Sequence, residues 1–255
     1  MKKTIKLVCI FLTAAALTAG CGGKGPSKNE YRLEGIQKLE AGDYAGAVES
    51  FDQAVAKSRG TVGGFELDVL KYRAEAEYRL EDYAAAAHTY DVLLQVDEKR
   101  AEYRYMRCMA NAKAGNVESA LADYTEQTAA DKESSELSDA ALLILGTALE
   151  EQGENDKAIT LYQQAMDQGQ ANAELYNRMG VCKLNEKAYN EALQYFEQGI
   201  QTGDEAVLPS LKFNRAVTYE YQGDFERALK ELEAYAAKYG GSEEADREIA
   251  FLRTR

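Results

Sequence analysis

The chain has 255 residues, 43 acidic against 30 basic, and a formal net charge of −13. A surface this acidic repels phosphate backbones and anionic headgroups, which argues against nucleic acid as a partner of the folded body and favours basic protein surfaces. Apart from Pro26 and Pro209 there is no proline, and Ala, Leu, Glu, Lys and Gln dominate, so long helices run with few breakers.

In chain order, Lys2, Lys3 and Lys6 precede an uncharged run, Leu7 to Ala19, that is too short to cross a bilayer. A basic start, a short apolar run and small residues at its end predict a signal peptide over residues 1–20. The segment Leu17-Thr18-Ala19-Gly20-Cys21 resembles the lipobox of bacterial lipoproteins. Ala19 and Gly20 fit that pattern, and Thr18 departs from the Leu, Val or Ile customary three residues before the cysteine. The resemblance implies a lipid, palmitate among its acyl chains, on Cys21, and a folded part held to a membrane outside the cytoplasm. Several acyl chains, each burying methylenes at about 0.8 kcal/mol apiece, anchor a protein stably where one does not. Residues 21–29, with Gly22, Gly23, Gly25 and Pro26, read as the lipidated cysteine and a flexible tether.

From residue 30 to 241 one pattern recurs: a small residue, an alanine twelve positions on, and a large apolar residue four beyond that. The sets are Gly35/Ala47/Phe51, Ala74/Ala86/Tyr90, Cys108/Ala120/Tyr124, Gly146/Ala158/Tyr162, Gly180/Ala192/Phe196 and Ala216/Ala228/Leu232. Paired antiparallel helices approach closely only where side chains are small, and residues four apart share a helix face. The pattern therefore predicts helix pairs sealed by the small residue and the alanine, with the large residue free to pack on the next pair. Ala41-Gly42-Asp43, Ala114-Gly115-Asn116, Gln152-Gly153-Glu154 and Gln222-Gly223-Asp224 are the expected turns inside pairs. Residues 57–64, 128–138 and 201–208 are the expected links between pairs, with Pro209 in the first turn of the helix that follows. Residues 242–255 read as a final helix, N-capped by Ser242, whose Ala245, Ile249 and Leu252 cover the last exposed face.

The alanines stand 39, 34, 38, 34 and 36 residues apart. This spacing, with Leu145-Gly146 and Met179-Gly180, resembles the tetratricopeptide repeat, although the Trp and Pro of that family's pattern are missing. The resemblance implies an all-α, right-handed superhelical solenoid of about six helix-turn-helix repeats, here followed by a capping helix. It also implies a concave surface, lined by first helices, that binds a partner protein or peptide. Some members grip a partner's C-terminal carboxylate with Lys, Asn, Asn, Lys and Arg. The matching positions here are Arg32, Ile36, Tyr72, Glu102 and Met106, so only Arg32 keeps the charge and that clamp is not carried over. The expected partner-binding residues are Arg32, Tyr72, Tyr78, Tyr105 and Met109, turning polar toward the C-terminal end with Asn177, Arg178 and Asn214.

No catalytic constellation stands out. His88 is the sole histidine and has no Cys or carboxylate at metal-ligand spacing, so no metal is expected. No phosphate-cradling glycine motif occurs, so no cofactor is expected. Cys108 and Cys182 lie on first helices of repeats that are not adjacent and are read as unbridged buried thiols. An envelope enzyme would need a convergent pocket of perturbed acids and bases. A binder of solutes or glycans would need a closed pocket, and the chain has no Trp platform.

Overall fold

A computed structural model describes residues 25–58, 62–131 and 134–255. The expected signal peptide, Cys21 and the start of the tether lie outside the described residues. Those residues form thirteen α-helices and no strand. The chain divides into two compact units, one ending at Ala148 and one beginning at Leu149.

The first unit contains three helix pairs: α1 (Lys28–Glu40) with α2 (Tyr44–Ala56), α3 (Gly64–Arg79) with α4 (Tyr83–Val96), and α5 (Ala101–Lys113) with α6 (Val117–Ala130). Helix α7 (Glu136–Glu151) carries the boundary between the units. The second unit continues with α8 (Asn155–Ala165), prolonged by a π turn over Met166–Gln170. It then has the pairs α9 (Ala173–Asn185) with α10 (Tyr189–Gln201) and α11 (Leu208–Gln222) with α12 (Phe225–Tyr239), and ends in α13 (Glu243–Leu252).

The small-residue rule has a direct steric basis. A Cβ placed on Gly35 would lie 2.5 Å from the Phe51 ring, and one on Gly180 2.4 Å from the Phe196 ring. Ala47, Phe51, Ala192 and Phe196 are fully buried. The large residue also reaches the following repeat: Phe51 stacks on Tyr72 with centroids 6.0 Å apart, and Tyr90 meets Tyr103 at 6.5 Å.

The four predicted turn glycines all adopt left-handed backbone, with φ of 80° at Gly42, 81° at Gly115, 77° at Gly153 and 84° at Gly223. In the other two pairs that conformation falls to Glu81 and Lys187, at φ 63° and 62°, where a Cβ is strained. Asp43, Asp82 and Asp224 then cap the second helices, accepting from the amides of Gly46, Ala85 and Arg227 at 3.0, 3.1 and 3.2 Å. Pro209 occupies the first turn of α11. The link expected over 128–138 is shorter than its spacing suggested. Helix α6 runs on to Ala130, and α7 starts at Glu136 because Ser135 caps it, accepting from Ser138 N at 3.1 Å while Ser138 Oγ accepts from Ser135 N at 2.7 Å.

A set of arginines immediately before the small residue joins consecutive pairs. Arg107 donates to both oxygens of Asp123 on α6, at 2.9 and 2.5 Å, and to Asp91 on α4. Arg215 reaches Glu231 on α12 at 2.9 Å and Glu197 on α10 at 2.6 Å. Arg73 reaches Glu77 at 2.9 Å, Thr89 on α4 at 2.5 Å and Asp52 on α2 at 2.7 Å. Each guanidinium thus spans its own repeat and the second helix of the repeat before it.

Ser242 caps α13, its Oγ accepting from Ala245 N at 3.1 Å. Ile249 and Leu252 pack with Ala216, Ala228 and Leu232, the inner faces of α11 and α12. Cys108 and Cys182 are free and buried, and burial raises both thiols, Cys182 to about 12. No described helix is long and apolar enough to cross a membrane.

Candidate functional site

Of the residues expected on the binding face, three converge. Asn177 and Arg178 on α9 and Asn214 on α11 line one cavity of about 500 Å³ in the second unit, together with Glu174, Val181, Ser210, Phe213, Tyr235, Ser242 and Glu244. Helical spacing puts Glu174, Asn177, Arg178 and Val181 on one face of α9. The α11 face adds Ser210, Phe213 and Asn214 by the same periodicity.

The cavity's polar groups are held in a defined arrangement. Asn214 Nδ2 donates to Asn177 Oδ1 at 2.9 Å. Asn177 is only 9% exposed, and its own Nδ2 has no partner among the described residues, nor has Asn214 Oδ1. One donor and one acceptor are therefore left side by side. Arg178 Nε donates to Glu174 at 2.9 Å, and its Nη1 lies 3.6 Å from Glu150. Burial works against the Arg178 charge, but Tyr162, Glu174 and Glu150 outweigh it and hold the guanidinium above its usual value. The apolar wall is Phe213 against Tyr235, centroids 5.6 Å apart, with Tyr239 continuing the row at 5.4 Å from Tyr235.

In the first unit the expected residues do not gather in this way. Arg32 is half-buried, donates to Asp68 at 2.5 Å and lies 5.6 Å from the centre of the half-buried Tyr72 ring. Tyr78 packs edge-on against Tyr83 at 5.2 Å and on the buried Ala86, Ala87 and Ala110. Two expectations are corrected. Tyr105 and Met109 are buried, at 2% and 5% exposure, and offer no surface to a partner. Tyr105 sits against Tyr124 and donates its hydroxyl to Asp131 at 2.6 Å.

The tetratricopeptide-repeat model matches residues 32–101, 73–136, 105–173 and 143–206 in overlapping stretches, and a second model of the same repeat matches residues 211–242. The chain belongs to the tetratricopeptide-repeat (TPR) family. Solved TPR structures share its fold at low identity. The C-terminal part of a TPR repeat-containing protein from Cytophaga hutchinsonii superposes with a TM-score of 0.66 at 15% identity, over 89% of each chain. A TPR protein from Parabacteroides merdae gives 0.52 at 16%, over 89% of this chain and 84% of its own. YrrB, described as a TPR protein with an unusual peptide-binding site, gives 0.55 at 19%, over 82% of this chain and all of its own. No curated protein matches.

Counting only first helices, as the TPR resemblance suggests, misses Tyr235 on α12 and Ser242 and Glu244 at the start of α13. Phe213 carried a usable signal. It stands three residues before the small Ala216, the same offset that separates Asn177 from Gly180.

Proposed function

We propose that this TPR chain is a membrane-anchored scaffold that holds partner proteins or peptides through the exposed faces of its first helices, acting by binding rather than by catalysis. The single observation that carries the reading is the second-unit cavity. There an oriented Asn177–Asn214 pair leaves one donor and one acceptor open beside an aromatic wall. A peptide group offers the complementary acceptor and donor, and atoms already oriented by the Asn177–Asn214 bond can meet it without rearrangement. The peptide-binding site named for YrrB adds a precedent within the same fold.

Anchoring rests on the sequence. The basic start, the apolar run and Ala19-Gly20-Cys21 support removal of residues 1–20, a lipid on Cys21, and repeats displayed outside the cytoplasmic membrane. Photo-crosslinking from positions 178 and 213 of the full chain in its native envelope, with exposed His88 as control, tests the binding reading. Capture of one protein from both cavity positions and none from His88 is the expected result. No capture from either cavity position, with the protein expressed and folded, overturns it.

A further inference from the structure

We infer that the second-unit cavity receives the basic side chain, arginine or lysine, of an extended partner segment. The inference rests on the binding role proposed above and adds the chemistry of what is bound.

Charge points the same way at three scales. The chain as a whole carries −13. At the cavity one guanidinium, Arg178, faces Glu174 and Glu150 at 2.9 and 3.6 Å, so its charge is already answered inside the molecule. Glu244, exposed in the first turn of α13, adds a further carboxylate that has no partner among the described residues. Among the lining residues two carboxylates, Glu174 and Glu244, stand against one guanidinium, so a cation balances the lining where an anion would not; Lys212 and Lys238, beside Tyr239, are not part of that lining.

The wall suits a cationic stem as well as a cationic head. Phe213 and Tyr235 present ring surface to the cavity, and long basic side chains lay their methylenes on such surface while the charge reaches water or carboxylate. The next ring in the row, Tyr239, is already met by this chain's own cations, Lys212 Nζ at 5.8 Å and Lys238 Nζ at 5.0 Å from its centre, so the incoming side chain is assigned to Phe213 and Tyr235. The independent observation is Asn177. The residue is nine-tenths buried and lines the cavity, its Oδ1 accepts from Asn214, and its Nδ2 remains open to the cavity beside Asn214 Oδ1. Those two atoms can hold a backbone amide of the segment while its basic side chain lies along Phe213 and Tyr235 toward Glu244.

The test uses the full folded chain and three peptides, Ac-Ser-Ala-Val-X-Val-Ala-Ser-NH2, with X as Arg, Gln or Glu. Binding is read from the side-chain amide NMR signals of Asn177 and Asn214. The Arg peptide is expected to shift both signals saturably. The Gln peptide should bind about fivefold or more weakly, the size of one partly screened ion pair, and the Glu peptide more weakly still. Glu244→Gln should weaken the Arg peptide by a similar factor, and Glu226→Gln, exposed on α12 and outside the cavity, should not. A Glu peptide that binds as well as the Arg peptide overturns the inference. So does Arg-peptide binding untouched by Glu244→Gln, which would be attraction to the acidic surface at large. If no peptide shifts the signals while positions 178 and 213 still capture a partner, the basic-side-chain inference falls and the scaffold reading stands.

Discussion

Gly180→Ala adds a single methyl group at the tightest point of the second unit. The new Cβ would sit 2.4, 2.6 and 2.7 Å from Cε1, Cδ1 and Cζ of Phe196. The ring is fully buried and packs among Ala173, Ala192 and Leu211, so it has no solvent-ward rotamer to escape into. In an open helix the change would stabilise by roughly 0.5–1 kcal/mol. Overpacking a filled core costs about 1–3 kcal/mol. The net expectation is a loss of about 1–2 kcal/mol, measured as a lower urea midpoint by circular dichroism with an unchanged slope. The sixth repeat indicates the remedy, since Ala216 there faces Leu232. Phe196→Leu alone should cost about 1 kcal/mol. Combined with Gly180→Ala it should cost less than the sum by about 1 kcal/mol or more, a coupling that distant sites do not show. A neutral or stabilised Gly180→Ala, or strict additivity of the pair, would refute the claim that this position is glycine for steric reasons.

Four further outcomes are expected. Lys187→Gly should stabilise the fold by about 0.5–1 kcal/mol, read as a higher urea midpoint, because φ 62° strains a Cβ there; Gly153→Ala should lower the midpoint. Glu77 is 2% exposed, and burial, against the pull of Arg73 and Thr89, pushes its carboxyl from 4.5 up to about 7. Its contribution to stability is then complete below about pH 4.5 and lost as pH rises through 7. Glu77→Gln should therefore gain on the wild type by on the order of 2 kcal/mol between pH 5 and pH 8, compared by urea titration. Arg107→Ala strands the buried Asp123 and should cost about 2–3 kcal/mol, whereas Asp91→Ala, at the outer end of the same bridge, should cost under about 1 kcal/mol in the same assay. Cys21→Ser should abolish incorporation of alkyne-palmitate and release the protein from washed membranes; retention of both would refute the anchor.

The helix pairs were legible because close backbone approach leaves a trace in residue size. Gly35, Gly180 and the six alanines are small for reasons that need no knowledge of neighbouring sequence. The turns were legible where glycine marks a left-handed residue and illegible at Glu81 and Lys187, where the chain adopts the conformation with an ordinary side chain. Tyr105 and Met109 defeated the face assignment because one wide stripe of a first helix meets both the open side and the next helix, and helical period alone cannot divide it. The cavity was half legible. Asn177, Arg178 and Asn214 follow from position within the repeat, while Tyr235 and Glu244 arrive from a second helix and the terminal helix, whose approach only tertiary packing fixes.

The arginine bridges have unequal arms. The inner arm of each meets a shielded carboxylate, with side chains 2% exposed at Glu77, 7% at Asp123 and 22% at Glu231. The outer arm, toward the preceding repeat, always ends on an open one, 53% at Asp52, 49% at Asp91 and 51% at Glu197. Salt screens open charges far more than shielded ones. Rising ionic strength therefore weakens the ties between consecutive hairpins before the better shielded ties within them, so the medium sets how firmly neighbouring repeats are held.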